Sequence, residues 1–293
     1  MSRLHAAVLD WYAANGRDLA FRRTRDPWAV LVSEVIAQQT QAARAAEAWE
    51  RFIDAFPTPA SLAAVSPATV IRAWRGLGYN RRAIALRSAA IRIVEDHGGR
   101  VPDTLDALTA LPGVGPYTAR AVLAFAFDRR VAPLDTNIRR VLDRAIGTLP
   151  AAPKALQSAA DGFVPHRAAA DWAHALMDLG ATICVARAPR CDACPITAWC
   201  RTTRTGSAPM TAGPRSRRGP DARSTPFPST SRWLRGRILD CLRDAPDNAW
   251  VAFEDPIGAH SLPAVLEQVR RMSIEGLLET DSATQRTRLV SSR

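Results

Sequence analysis

Two carboxylates stand in dissimilar sequence settings, as acid/base chemistry requires. Glu34 lies inside the apolar stretch "AVLVSEVIA", so helical periodicity leaves it no fully solvated face. Asp135 precedes the apolar-patterned "TNIRRVLDRAI", where the commoner role of an aspartate is to cap a helix. The helix dipole is expected to keep Asp135 ionised, whereas burial is expected to raise the pKa of Glu34. Such a pair could divide the roles of proton donor and cation stabiliser.

Four of the five cysteines fall within "CVARAPRCDACPITAWC". Their spacing, C-x6-C-x2-C-x5-C, lets four thiolates wrap one metal centre, and disulfides are rare in a cytosolic protein. The spacing alone leaves a zinc site and a [4Fe–4S] cluster equally open. Cys241 lies apart and is expected in the core. The four clustered residues are Cys184, Cys191, Cys194 and Cys200.

A glycine pair precedes a helix in "LPGVGPYTARAVLAFAF". Gly113, Val114 and Gly115 could point successive backbone N–H groups at an anion such as a DNA phosphate. A tight turn between two helices is the commoner meaning of G-V-G. The basic surplus of the chain favours the phosphate-binding interpretation.

The elements that must position these groups are mainly helical. Residues 1–201 combine Ala-, Leu- and Arg-rich stretches with short Gly and Pro breaks, which predicts an all-α domain. Residues 202–231 are rich in Pro, Ser, Thr, Gly and Arg, which predicts a flexible basic linker. Residues 232–293 read as helices followed by a hairpin of two short strands, a pattern that suggests a small α/β unit of the winged-helix kind.

The charge balance favours a polyanionic partner. The chain has 293 residues, a net charge of +11 and a single lysine, Lys154, so its basic groups are nearly all arginines. No apolar run is long enough to span a membrane, and the first residues lack a signal-peptide core. We therefore expect a cytoplasmic protein without a membrane partner.

Together these stretches resemble the endonuclease III-like superfamily of base-excision DNA glycosylases, which has a helix-hairpin-helix and a [4Fe–4S] cluster. Within it the chain most closely resembles the adenine glycosylase (MutY) family. The stretches that carry the resemblance cover about residues 5–201, and they are "SEVIAQQTQ", "GLGY", "LPGVGPYTA", "LDTNIRRVL", "MDLGATIC" and the cysteine spacing. The resemblance implies a two-part helical glycosylase domain with an iron–sulfur loop at 184–200.

By this resemblance, Glu34 is the acid that protonates a flipped adenine and then helps to activate water. Asp135 would support the positive sugar left behind. Tyr117 stands where bifunctional relatives carry a Schiff-base lysine, and a phenol cannot form an imine. The resemblance therefore implies base removal without efficient strand cleavage.

The resemblance also implies the contacts with DNA. Gln38, Gln39 and Thr40 match a polar run that enters the DNA opposite the flipped base, and Tyr79 matches an aromatic wedge near 8-oxoguanine. A solvated helix end and a packed turn are the plainer interpretations of these residues. Arg187 and Arg190, between the first two cysteines, would face phosphates.

The chain also departs from the family. Phe21, Asn80 and His174 replace residues common there, and we give His174 no role. The roughly 60 residues after the linker are too few for the Nudix-like domain that helps such enzymes to recognise 8-oxoguanine.

We expect a monomeric enzyme that acts on adenine opposite 8-oxoguanine or guanine in double-stranded DNA. The alternatives are a thymine–guanine mismatch glycosylase and a non-catalytic DNA-binding iron–sulfur regulator.

Overall fold

A computed structural model describes residues 3–147, 149–206 and 226–291. Within them the chain forms fourteen α-helices, three short 3-10 helices and one pair of strands, so the mainly helical fold is confirmed. The helices are α1 (Arg3–Asn15), α2 (Pro27–Ala37), α3 (Ala42–Ala55), α4 (Pro59–Ala63), α5 (Pro67–Ala73), α6 (Arg81–His97), α7 (Leu105–Thr109), α8 (Pro116–Phe125), α9 (Thr136–Ile146), α10 (Pro153–Gly162), α11 (Ala169–Thr182), α12 (Arg201–Arg204), α13 (Ser231–Asp244) and α14 (Leu262–Ile274). The 3-10 helices are Ala20–Arg22, Cys191–Ala193 and Phe227–Ser229, and the strands are β1 (Leu278–Thr280) and β2 (Thr287–Leu289).

The described residues form two compact units, and each unit combines three separate segments of the sequence. The first unit comprises Met1–Gln38, Val101–Ala110 and Val114–Arg217. The second comprises Gln39–Arg100, Leu111–Gly113 and Arg218–Arg293. The division into 1–201, 202–231 and 232–293 stays a prediction, and 207–225 of the expected linker lie outside the described residues.

In the first unit, helix α2 is buried on every side. Asp26 caps it by accepting a hydrogen bond from Ala29 N, and Pro27 occupies the first helical position, where its missing N–H costs nothing. Each residue from Trp28 to Ile36 is buried. Helix α2 packs against α8, and α11 packs against α1 and α9.

The glycine pair forms the turn between α7 and α8. Gly113 has a φ of +77°, in the left-handed region that glycine adopts without strain. A Cβ on Gly113 would lie only 2.8 Å from the Cβ of Ala85, so a side chain there would clash. Gly115 caps α8 with extended backbone and no side-chain hydrogen bond. Two helices joined by this turn form the predicted helix-hairpin-helix.

In the second unit, the C-terminal residues pack on helix α5. The predicted helices and hairpin are confirmed: β1 and β2 are antiparallel, with Leu278 opposite Leu289 and Thr280 opposite Thr287. Val251 forms an isolated antiparallel bridge with Thr287. The buried cluster joins residues of α5, α13, α14 and the strands, and comprises Ala68, Ile71, Leu234, Ile238, Leu239, Leu242, Val265, Val269, Met272, Leu277, Leu278 and Leu289.

Two further expectations concern single features of the chain. Cys241, expected in the core, is exposed, because it lies on α13 at the edge of the face that Leu234, Ile238 and Leu242 bury. In the part of the chain that the structure describes, no helix is both long and apolar enough to cross a membrane.

Candidate active site

Glu34 is a buried carboxyl in the middle of α2, with 9% of its surface exposed. Burial raises the pKa of Glu34 to about 7. The hydrogen bond from Tyr117 and the charge of Arg22 oppose this rise, while the charge of Asp135 adds to it. Glu34 is therefore about half protonated near neutral pH, the condition in which a general acid works best.

Tyr117 lies in the first turn of α8, one residue after Pro116. Its phenol donates a hydrogen bond to Glu34, and burial together with the nearby carboxylates raises the pKa of Tyr117 well above its ordinary value. The phenol therefore stays protonated and remains a donor. This hydrogen bond joins α8, the second helix of the helix-hairpin-helix, to α2, which carries Glu34.

Asp135 caps α9, as the commoner interpretation of the sequence predicted. Its Oδ1 accepts a hydrogen bond from Ile138 N at 2.7 Å, and its Oδ2 accepts one from Asn137 Nδ2 at 3.2 Å. We expected the helix to keep this carboxylate ionised. Burial raises the pKa of Asp135, and the hydrogen bonds from Ile138 and Asn137, which favour the ionised carboxylate, oppose that rise. The charge of Asp135 raises the pKa of Glu34, so the two carboxyls lie within electrostatic range of each other.

Sequence reasoning missed an arginine–aspartate pair next to this site. Asp178 is fully buried, and both of its oxygens accept hydrogen bonds from Arg22, at 2.8 and 2.9 Å. Arg17 donates to the same carboxylate through its backbone N and its side chain. The Nε of Arg22 is buried and has no hydrogen-bond partner among the described residues. The only signal in the sequence was that Asp178 stands in "MDLGATIC", a stretch that carries the family resemblance, and that Arg22 follows Phe21.

His174 packs beside the same pair. Its ring stacks on Phe125 with centroids 4.1 Å apart. Burial and the charge of Arg22 lower the pKa of His174 to about 3, so the imidazole is neutral at physiological pH. A neutral, stacked ring is typical of a packed histidine, and the absence of a catalytic role for His174 stays a prediction.

The predicted DNA contacts lie at turns and helix ends. Helix α2 ends at Ala37, after which Gln38 donates to Thr118 Oγ1 at 3.4 Å and Gln39 adopts a left-handed φ of 55°. Thr40 is partly buried. Tyr79 is 50% exposed. The roles of these residues in binding DNA stay predictions.

All four clustered cysteines line one cavity in the first unit. Burial and the neighbouring thiols Cys184 and Cys200 raise the pKa of Cys191, and burial raises the pKa of Cys194 to about 11. The four sulfurs therefore lie near one another. In the described ranges, no three His, Cys, Asp or Glu side chains meet where a single metal ion could be held. Arg187 and Arg190 are exposed beside this cavity.

Arg144 joins the cysteine loop to α9, the helix that Asp135 caps. Its guanidinium donates to the carbonyl oxygens of Val185 at 2.7 Å and Ala186 at 2.9 Å. The carbonyl of Arg144 in turn accepts from Cys200 Sγ at 3.3 Å. Arg140, one turn earlier, donates to the carbonyl of Cys184 at 2.8 Å. The loop is thus tied to the C-terminal half of α9.

The chain is similar to several known proteins. The model of the "HhH-GPD superfamily base excision DNA repair protein" family matches residues 32–165. An adenine DNA glycosylase of Mycobacterium tuberculosis is 45% identical over 244 residues, which are 81% of this chain and 78% of that protein. One from Mycolicibacterium smegmatis is 41% identical over 84% of this chain and 82% of that protein. The solved structure of a thermostable thymine-DNA glycosylase has a TM-score of 0.64 and 30% identity, covering 69% of this chain and 95% of that one.

These similarities extend over both units, and they confirm the resemblance that the motifs carried. The sequence identity to each mycobacterial adenine DNA glycosylase is above 40% over about four fifths of that protein. The sequence identity to the thymine-DNA glycosylase is lower, at 30%. The chain belongs to the adenine DNA glycosylase family of base excision repair enzymes, within the HhH-GPD superfamily.

Proposed function

We propose that this chain is a monofunctional DNA glycosylase that hydrolyses the N-glycosidic bond of adenine paired with 8-oxoguanine or guanine in double-stranded DNA. The observation that carries the proposal is Glu34, a buried carboxyl whose pKa of about 7 suits it to donate and then accept a proton. Asp135 in the same site supplies the second carboxylate. We expect the enzyme to act as a monomer in the cytoplasm.

The reaction begins with proton transfer from Glu34. The adenine must first leave the base stack, because its glycosidic bond is inaccessible inside the duplex. Glu34 gives its proton to a ring nitrogen of the base, and the bond between the sugar and the base then breaks with both electrons passing to adenine. The carboxylate of Glu34 next takes a proton from the incoming water, whose oxygen bonds to the sugar. Adenine and an abasic site are the products.

Asp135 and Arg22 shape the surroundings of this step. An ionised Asp135 stabilises the positive charge that develops on the sugar, as a fixed anion does in an enclosed site. The buried Nε of Arg22 needs a hydrogen-bond acceptor, and an extruded purine offers ring nitrogens. Asp178 holds the guanidinium in place through two hydrogen bonds. Arg22 is therefore assigned to bind the base.

The DNA strand is held by the helix-hairpin-helix. Because Gly115, which precedes α8, offers no side-chain cap, the first N–H groups of the helix and its positive dipole end are available to a phosphate. Gln38, Gln39 and Thr40 follow directly on the helix that carries Glu34, which suits them to enter the DNA near the flipped base. Arg187 and Arg190 add positive charge.

The four thiolates are assigned to a [4Fe–4S] cluster. The donor set fits the group, because Cys184, Cys191, Cys194 and Cys200 surround one cavity and each iron of such a cluster takes one thiolate. When bound, the cluster ties the loop 184–200 together and so positions Arg187 and Arg190. The carboxylates suffice for hydrolysis, so no step passes through the iron.

Metal analysis tests the cluster assignment. Purified protein is expected to contain about four iron atoms per chain and to absorb visible light. Replacing Cys194 by serine should remove the iron, whereas the matched change Cys241→Ser, at an exposed cysteine outside the loop, should leave it. Protein with one tightly held zinc ion and no iron would show the assignment to be wrong.

A panel of duplexes tests the function. We expect adenine release from A·8-oxoG and A·G duplexes, seen as strand breaks after alkali, and little release from T·G duplexes. Without alkali the strand should stay intact, because Tyr117 offers no amine and the only lysine, Lys154, lies exposed on α10. Thymine release would instead favour the activity named for the thermostable relative. Abundant borohydride-trapped adducts that survive Lys154→Ala would refute the monofunctional proposal, and binding without any base release would favour a regulator.

A further inference from the structure

Tyr79 is an exposed aromatic ring on a strained turn. It follows Gly76 and Gly78 and has a φ of 45°, a conformation that bulky residues rarely adopt. Half of its surface is exposed. A large ring held outward at such a position is suited to contact a partner, and strain of this kind gathers at functional sites.

Two arginines lie over the ring of Tyr79. The guanidinium of Arg82, on α6, is 5.6 Å from the ring centroid. The guanidinium of Arg232 is closer, at 4.8 Å, and comes from the first turn of α13 in the C-terminal region. Arg232 forms no ion pair with any described residue, so its charge is not neutralised by a carboxylate. The exposed ring and the exposed guanidinium of Arg232 together form a positively charged surface.

The C-terminal region is fixed to the turn that carries Tyr79. The buried Arg243 donates to Asn80 Oδ1 at 2.7 Å and to the carbonyl of Ile71 at 3.0 Å. Ile71 and Ala68 of α5 belong to the same hydrophobic cluster as α13. The packing of α13 therefore fixes the backbone of Arg232 next to the ring of Tyr79. The bond from Arg243 also accounts for Asn80, one of the departures from the family.

We propose that Arg232 is a DNA-contacting positioning residue, supplied by the C-terminal region, that holds Tyr79 for stacking on the strand opposite the excised base. Base–aromatic stacking tolerates any base, and a planar guanidinium can support the ring and also meet a phosphate. The inference rests on the proposed function and extends it. It assigns to the C-terminal region part of the contact with the strand opposite adenine.

Single substitutions test this assignment, because Arg232 is exposed and its loss should not unfold the protein. Arg232→Ala is expected to raise the Kd for an A·8-oxoG duplex about tenfold. It should also reduce the slope of log K against the logarithm of the salt concentration by about one, as expected for the loss of one phosphate contact. Arg232→Lys should keep the salt slope but lose affinity, because an ammonium does not stack. Combining Arg232→Ala with Tyr79→Ala should weaken binding by less than the product of the two single effects, because the part of the Arg232 effect that passes through the ring is already lost in Tyr79→Ala.

The matched control is Arg237→Ala, which removes an exposed arginine from the same helix, where it pairs with Asp240 at 3.6 Å. Its Kd should stay within about twofold of the unchanged protein. Equal effects of Arg232→Ala and Arg237→Ala, or additive effects of Arg232→Ala and Tyr79→Ala, would overturn the inference. Adenine release by the unchanged protein is measured in parallel. Its absence would refute the proposed function, whereas its presence with a silent Arg232→Ala would refute only this inference.

Discussion

Replacing Glu34 by glutamine is expected to slow adenine release about a thousandfold while DNA binding is retained. Glutamine has nearly the shape of the buried carboxyl but cannot give up a proton as an acid or accept one from water. Single-turnover release from an A·8-oxoG duplex, together with the Kd for that duplex, measures both effects. Glu50→Gln, an exposed change on α3, is the matched control and should behave as the unchanged protein. Persistent release by Glu34→Gln would show that another group is the acid.

The same substitution is expected to stabilise the protein at alkaline pH. The folded pKa of Glu34, about 7, lies above its ordinary value of 4.5. The unfolded state therefore ionises first as the pH rises, and the folded state is destabilised by roughly 3 kcal/mol once the pH exceeds 7. This penalty disappears below pH 4.5 and is absent in Glu34→Gln. A gain in stability at alkaline pH would show that lost activity does not come from unfolding.

Replacing Asp135 by asparagine should slow adenine release about a hundredfold or more, because the fixed charge that faces the sugar cation is lost. The helix itself should be kept, since asparagine caps a helix as well as aspartate does. Asp26→Asn provides a close control: Asp26 caps α2 through a 2.7 Å bond to Ala29 N, the same length as the bond from Ile138 N to Asp135. The single-turnover rate is measured for both variants.

The two variants separate charge from capping. If capping alone mattered, Asp135→Asn and Asp26→Asn would both keep nearly full activity. The proposed role requires that only Asp135→Asn loses it. An Asp135→Asn enzyme as fast as Asp26→Asn would remove Asp135 from the mechanism.

Local sequence patterns predicted the parts of the site that depend on neighbours along the chain. The unbroken apolar run around Glu34 predicted its burial, and "LDTNIRRVL" predicted that Asp135 caps a helix; both features are present. The cysteine spacing predicted four thiols around one centre, and they line one cavity. The hairpin at residues 278–289 was likewise predicted, as two short strands after the C-terminal helices.

Features that depend on tertiary packing were not predictable in this way. Asp178 and Arg22 are 156 residues apart in the sequence, and the residues around each of them do not indicate that the two side chains form a pair. The packing of α13 on α5 depends on how two apolar faces fit in three dimensions. The sequence therefore predicted a separate C-terminal unit, and it did not predict the contacts of that unit with Tyr79 and Asn80. The direction of the pKa shift at Asp135 was also missed, because burial there outweighs the hydrogen bonds at the helix end.

The pH dependence of single-turnover adenine release tests most directly the claim that protonated Glu34 starts the reaction. We expect a rate that is level just below pH 7 and falls tenfold for each pH unit above it, because the pKa of Glu34 is about 7. In Tyr117→Phe the fall should begin at higher pH, since the bond from Tyr117 lowers that pKa. A rate that stays level or rises through about pH 9 would contradict the claim.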